Sequence, residues 1–325
     1  MLELAASNLL SPIILSFALG LFAALARSDL SIPEAAAKGM SIYLLFAIGF
    51  KGGVAVADNG IDAQLLATLA AGFVLSAAIP FAAFALLRVL TRLDTLNAAA
   101  VAGHYGSISI VTFVAASSVL ESTGLKAEGY MVATAAIMEA PAILSALWLA
   151  TRAGGGSGGS RMDATLLREI LLNGSIVLLV GSFFIGLATG NDGLDMISSF
   201  IVAPFQGVLC LFLLDMGLIA GRGLRETRGV LGAGTILFGM LMPLTGAALG
   251  LASGLLLGLS TGGIVLLMTL SASASYIAVP AAMRVALPEA KPAIYLTLSL
   301  GITFPFNLVL GIPLYVAVAS LLTGV

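Results

Sequence analysis

Two short runs of hydroxyl residues interrupt an otherwise apolar chain. The first is Gly103-His104-Tyr105-Gly106-Ser107-Ile108-Ser109-Ile110-Val111-Thr112, and the second is Thr269-Leu270-Ser271-Ala272-Ser273-Ala274-Ser275-Tyr276, with Pro280 after it. Serines two residues apart do not share a face of an α-helix, where neighbours recur every three or four positions. The spacing suits an unwound stretch in which hydroxyls and backbone groups converge on one ligand. Where helices break inside a membrane, half-helix N-termini offer positive dipole ends to anions, while free carbonyls and hydroxyls coordinate cations. Gly106, Ser107, Ser109, Ser271, Ser273 and Ser275 are therefore candidate anion ligands. Small residues also serve simply to let helices approach, but two clusters at repeat-equivalent positions favour a site.

Two carboxylates lie deep in apolar runs, Glu139 in Ile137-Met138-Glu139-Ala140-Pro141 and Asp215 in Leu213-Leu214-Asp215-Met216-Gly217. An ionised acid at the bilayer centre costs about 3 kcal/mol even on insertion scales. Each therefore needs a cation, a proton or a hydrogen-bond donor. Pro141 breaks the helix of Glu139, and Thr303, with Asn307 beyond it, is expected to supply neutral oxygens opposite. Such an oxygen set suits a hard monovalent cation such as sodium. A backbone donor suffices for Asp215. His104 is the only histidine, and its default reading is a capping or packing residue. A lone histidine leaves no His-based metal site or catalytic triad, so the chain is not expected to be an enzyme or to need a cofactor. No phosphate-binding loop is present, which argues against ATP-driven transport by this chain alone.

The elements that position these residues are membrane helices. A chain that is 60% hydrophobic and 9% charged, with mean hydropathy +1.13, is far from the roughly 25% charged fraction of a soluble globule. Apolar runs long enough to cross a hydrocarbon core of about 30 Å lie near 9–26, 36–57, 64–91, 97–119 and 129–151, and again near 169–189, 196–221, 229–258, 262–284 and 292–322. The first lacks a preceding basic region and is read as a retained span rather than a signal peptide. With ten spans, Lys and Arg divide 12 to 2 between the two sides. Only Lys51 and Lys126 fall on the poorer side, which places both termini outside the cytoplasm. The expected location is the bacterial inner membrane.

The ten spans read as five repeated once. Ser16-Phe17-Ala18-Leu19-Gly20-Leu21 recurs as Ser182-Phe183-Phe184-Ile185-Gly186-Leu187, and Leu44 to Gly49 recurs loosely as Phe212 to Gly217. Pro80 and Pro243, the pairs Ser107/Ser109 and Ser271/Ser273, and Pro141 and Pro305 continue the series. Five is odd, so the second copy enters the membrane upside down. The expected fold is an all-α membrane protein of ten transmembrane helices in two inverted five-helix repeats, with helices 4 and 9 broken. Residues 1–152 form the first repeat, 153–165 a flexible cytoplasmic Gly/Ser linker and 166–325 the second repeat. Duplicated membrane chains of this kind are typically transporters.

The segments Ile48-Gly49-Phe50-Lys51-Gly52-Gly53, Gly106 to Thr112, Met138-Glu139-Ala140-Pro141, Ser271 to Pro280 ending in Met283-Arg284, and Gly311-Ile312-Pro313-Leu314 together resemble the sodium-dependent bicarbonate transporter family. The resemblance covers nearly the whole chain apart from the linker. It implies a homotrimer and an elevator-like motion of a core domain, containing spans 4, 5, 9 and 10, against a scaffold. It also implies uptake of bicarbonate or a similar small anion coupled to sodium; on the reading of the residues above, the serines would hold the anion and Thr112, Glu139, Thr303 and Asn307 the sodium. Tyr276 stands where cyanobacterial members carry an acidic residue, and the central loop through which a small signalling protein regulates them is reduced to the linker. A sodium/proton antiporter or sodium/organic-anion symporter is the main alternative, then a non-transporting membrane sensor. Membrane lipid and the transported ions are the expected partners, and nucleic acid is not.

Overall fold

The computed structural model describes residues 11–60, 62–152, 168, 172, 174–226, 232–277, 279–280, 282–283 and 287–324. The expected linker at 153–165 lies outside the described residues. Every regular element described is helical: α1 (Pro12–Leu25), α2 (Glu34–Asn59), α3 (Ala63–Leu90), α4 (Thr95–Gly106), α5 (Ile110–Thr123), α6 (Met131–Ile137), α7 (Pro141–Arg152), α8 (Gly174–Ile201), α9 (Phe205–Glu226), α10 (Ala233–Leu256), α11 (Thr261–Ala272) and α12 (Pro292–Thr323). Helices α4 and α5 are two halves of one interrupted span, as are α6 and α7. Among the described residues, eight spans are long and apolar enough to cross a membrane, and α1 and α11 are shorter apolar helices. The chain is thus a multi-pass helical membrane protein with ten apolar helical segments.

Local chemistry sets the starts of these helices. Ser11 accepts from Ile14 N at 3.3 Å with Pro12 in the first turn, and Asp62 accepts from Leu65 N at 2.7 Å. Asp94 caps α4 and Ser260 caps α11. Each cap satisfies an N–H that the first helical turn leaves without a carbonyl partner. Burial opposes the charge on Asp94, but the backbone and side-chain N–H groups of Asn97 and the nearby Lys291 ammonium hold its carboxyl below the ordinary carboxylate range. This cap is lost only as the pH falls through that lowered value.

One expected boundary is corrected. The runs near 169–189 and 196–221 become Gly174–Ile201 and Phe205–Glu226, because the polar stretch after Gly190 is helical and not a connecting loop. Gly190 has φ 58°, a left-handed conformation that glycine adopts without steric cost, and the chain turns sharply there. The second leg then runs along α2 in the opposite direction. Asn191 donates to Asp58 at 2.8 Å, while Tyr43 hydroxyl, far earlier on α2, donates to the Phe200 carbonyl at 2.6 Å. The two legs of α8 flank α2, and the 28 residues are not one straight crossing.

Two groups of helices emerge. Helices α1, α2, α8 and α9 pack chiefly on one another, α1 along α9 and α2 along α8, while α3–α7 and α10–α12 form the second group. The glycines that mark the sequence repeat are the crossing points of the first group. A Cβ on Gly20 would strike the Leu214 carbonyl, and one on Gly217 the Phe17 carbonyl. One on Gly186 would strike Phe50 beside Gly49, and one on Gly49 would meet Ser182. Repeated glycines thus allow two helix pairs to approach backbone to backbone, the packing that small residues make possible in a membrane.

Candidate functional site

The span formed by α4 and α5 is entirely buried along its apolar window. It breaks at Ser107-Ile108-Ser109, and α11 stops just before Ser273. The breaks face each other. Ser109 N donates to Ser273 Oγ at 2.9 Å, and Ser275 N donates to the His104 carbonyl at 2.7 Å. Ser273 Oγ in turn donates to the Leu270 carbonyl at 2.9 Å. Each break therefore supplies partners for backbone groups the other has released. At the same crossing, Ser109 Oγ accepts from Thr112 N at 3.2 Å and so caps α5, and Ser275 Oγ accepts from Val279 N at 3.4 Å.

The helix ends group these serines differently from the pairing expected from sequence, Ser107/Ser109 with Ser271/Ser273. Helices α4 and α11 are both twelve residues long, and Ser107 and Ser273 each form the extended C-cap, at φ −83°, ψ 168° and φ −85°, ψ 166°. Ser107 thus holds at the end of α4 the place that Ser273 holds at the end of α11. The alternating Ser-x-Ser-x-Ser of the second cluster allowed either register, and only the capping geometry separates them.

Glu139 lies in the gap between α6 and α7. Ser76, one turn before Pro80 on α3, donates to the Met138 carbonyl at 2.5 Å and so satisfies one group that the gap exposes. With Ile108, Ser109, Ile110, Ser275, Tyr276 and Ile277, Glu139 lines a cavity of about 10 Å³. That is close to the least space a single water needs, too little for an oxyanion of four heavy atoms. Glu139 is 6% exposed and its Oε2 has no hydrogen-bond partner among the described residues, and the hydroxyls of Ser107 and Ser271 are likewise buried without one. A buried carboxylate oxygen without a donor demands a proton or a cation. Beside it, the first turn of α5 presents N–H groups and the positive end of its dipole. The crossing therefore brings an acidic side chain and the N-terminus of α5 to one small cavity.

The other expected cation ligands stand elsewhere. Thr303 donates to the Gly239 carbonyl at 2.7 Å and takes a hydrogen bond from Tyr105 hydroxyl at 2.5 Å. Asn307 donates to the Ala272 carbonyl at 2.9 Å, and its Oδ1 accepts from Tyr315 at 2.7 Å. Both are buried, and neither lines the cavity of Glu139. Thr112 is buried one turn above the first break, and Gly106 packs against the Pro80 ring, which sets α3 beside the break. Asp215 is buried in α9, away from both serine clusters in the other helix group. His104 directs Nδ1 to the Ala100 carbonyl at 2.7 Å and stacks on Tyr295 at 4.2 Å, consistent with its packing role. Tyr276 joins the cavity wall with its ring edge-on to Phe304 at 5.7 Å. Its place in the second hydroxyl cluster was the sequence signal for that position.

Asn307 thus closes the end of α11 through Ala272, the residue before the break. Asn307→Leu is expected to leave the Ala272 carbonyl and the Tyr315 hydroxyl unpaired, at about 1–3 kcal/mol for each buried group. Thermal unfolding in detergent, compared with wild type, measures the loss. Ser273→Ala removes the acceptor of Ser109 N–H and is expected to weaken anion uptake as well as lower the melting temperature, whereas Ser273→Thr keeps the hydroxyl and should retain most of both. Uptake and melting measured on the same preparations check this pair.

Residues 12–320 match the family described as the Na+-dependent bicarbonate transporter superfamily. No curated protein matches the chain.

Proposed function

The chain belongs to the Na+-dependent bicarbonate transporter superfamily, and we propose that it is a secondary active transporter that takes up bicarbonate or a similar small anion with sodium. The observation that carries this reading is the meeting of two broken spans around Ser109, Ser275 and the unpartnered Glu139 oxygen. Ser107, Ser109, Ser271, Ser273 and Ser275, with the amides beside Gly106, hold the anion. Glu139 carries the charge that attracts sodium, and Thr112 is the nearest of the proposed neutral ligands in sequence to the first break. Thr303 and Asn307 join the cation shell only if their present hydrogen bonds exchange during the cycle.

The division into two helix groups supports transport by alternating access. The group α3–α7 with α10–α12 carries both breaks and acts as the moving core, and α1, α2, α8 and α9 act as the scaffold. The exchanged pairing of α1 with α9 and α2 with α8 supports two inverted repeats, since a two-fold relation converts one pair into the other. We place the protein in the bacterial inner membrane with both termini outside the cytoplasm, as a homotrimer. One sodium per bicarbonate is electroneutral, so a tenfold sodium gradient supplies only about 1.4 kcal/mol. Steep accumulation needs more than one sodium per cycle.

Uptake of labelled bicarbonate into proteoliposomes, with an inward sodium gradient and potassium as control, tests the reading. Sodium-specific accumulation is the expected result. Absence of uptake by folded protein under both conditions removes bicarbonate as substrate.

A further inference from the structure

A second, much larger cavity of about 470 Å³ lies between the two helix groups, on the side of the membrane that the charge distribution places outside. Lys51 of α2 and Glu121 of α5 both line it. Their Nζ–Oε1 distance of 3.2 Å makes the one ion pair between side chains found among the described residues, and it joins the scaffold to the core. Lys51 also stands 5.3 Å from the centre of the Phe205 ring at the start of α9.

We propose that this cavity is an antechamber that captures the anion before it reaches the crossing of the broken spans, with Lys51 exchanging Glu121 for the incoming oxyanion. The inference deepens the bicarbonate-uptake reading and rests on it. Four observations carry it. First, the pair is exposed, 35% at Lys51 and 56% at Glu121, and exposed pairs contribute little, so a competing anion displaces Glu121 at small cost. Second, Glu121 presents the same forked, singly charged O–C–O group that bicarbonate presents. Third, the Phe205 face retains the ammonium while its partner changes. Fourth, the cavity runs inward along α5 as far as Phe113 and Leu266, and α5 is the helix that begins at Ser109 in the candidate site. Glu128 also lines the cavity, but its carboxylate is held by Ser260 N at 2.7 Å and Ser260 Oγ at 3.0 Å and does not compete for Lys51.

The same exchange weakens the tie between scaffold and core when an anion is present, which favours movement of a loaded core over an empty one. The test is the concentration dependence of sodium-driven bicarbonate uptake in four variants. Lys51→Met should raise KM about two- to fivefold, the range of an exposed ion pair, and move the maximal rate far less. Lys51→Arg should stay near wild type. Glu121→Gln should lower KM, because Lys51 then has no competitor. The exchange variant Lys51→Glu with Glu121→Lys restores the ion pair but not the cation on α2, and should keep KM raised. If the exchange variant recovers the wild-type KM, or if Lys51→Met and Glu121→Gln shift KM in the same direction, the pair is only a structural tie and the antechamber is overturned. Wild type without sodium-driven uptake overturns the parent reading instead, and a wild type that transports while Lys51→Met keeps its KM overturns the antechamber alone. Where Lys51→Met does not fold, the Glu121→Gln shift and the exchange variant decide the outcome.

Discussion

Glu139→Gln is expected to abolish sodium activation of uptake while leaving the protein folded. The side chain is enclosed at the gap between α6 and α7, 6% exposed, with Oε2 lacking a partner among the described residues. Holding an ionised acid there costs about 3 kcal/mol, and a bound cation offsets that cost. Glutamine has nearly the same shape and no charge to neutralise, so the differential affinity for sodium falls by about 100-fold on the same figure. Stability in detergent without sodium should be unchanged or higher, since a buried uncompensated charge has been removed. The two effects separate a ligand from a packing residue: thermal stabilisation by added sodium should be present in wild type and absent in Glu139→Gln. Glu139→Asp, with a shorter reach, should fall between them. Sodium activation of Glu139→Gln equal to wild type would take Glu139 out of the mechanism.

The largest structural effect is expected from Gly217→Val. A Cβ there would lie against the Phe17 carbonyl, 2.7 Å from Leu21 N and 3.1 Å from the Gly20 carbonyl carbon. Backbone cannot swing aside as a side chain can, so α1 and α9 must separate along their shared face. The cost exceeds about 4 kcal/mol, the range reserved for severe overpacking, and the variant should not yield a monodisperse folded protein. Gly207→Val is the matched control, since a Cβ at Gly207 on the same helix meets nothing within 4 Å. Size-exclusion profiles and melting curves of the two variants distinguish loss of this contact from a general intolerance of valine in α9.

Much of the architecture was legible because it depends on local properties. Length and apolarity of a segment decide whether it can cross a membrane, and of the ten segments expected, eight are helices long enough to do so among the described residues, while α1 and α11 are shorter apolar helices. The Ser-x-Ser spacing at 107–109 and 273–275 disagrees with helical periodicity, and the helices stop there. Glycine landmarks noticed as a repeat prove to be the points where helix backbones touch. The boundary near Gly190 was missed because a polar stretch between apolar runs reads as a loop. Asn191 and Asp195 instead sit on an exposed helical leg whose partners on α2 are more than 130 residues away.

What the sequence could not decide is which polar groups remain free. Thr303, Asn307 and Glu139 are all oxygen-bearing residues in apolar runs near prolines. Tyr105 and Gly239 use up the hydroxyl of Thr303, and Ala272 and Tyr315 occupy the amide of Asn307, whereas one oxygen of Glu139 meets no donor. The register of the serine clusters and the Lys51–Glu121 pair were hidden for the same reason. Hydropathy and helix capacity are properties of contiguous residues and are written in the sequence. Hydrogen-bond saturation is decided by distant residues that only the packed tertiary structure brings within 3 Å.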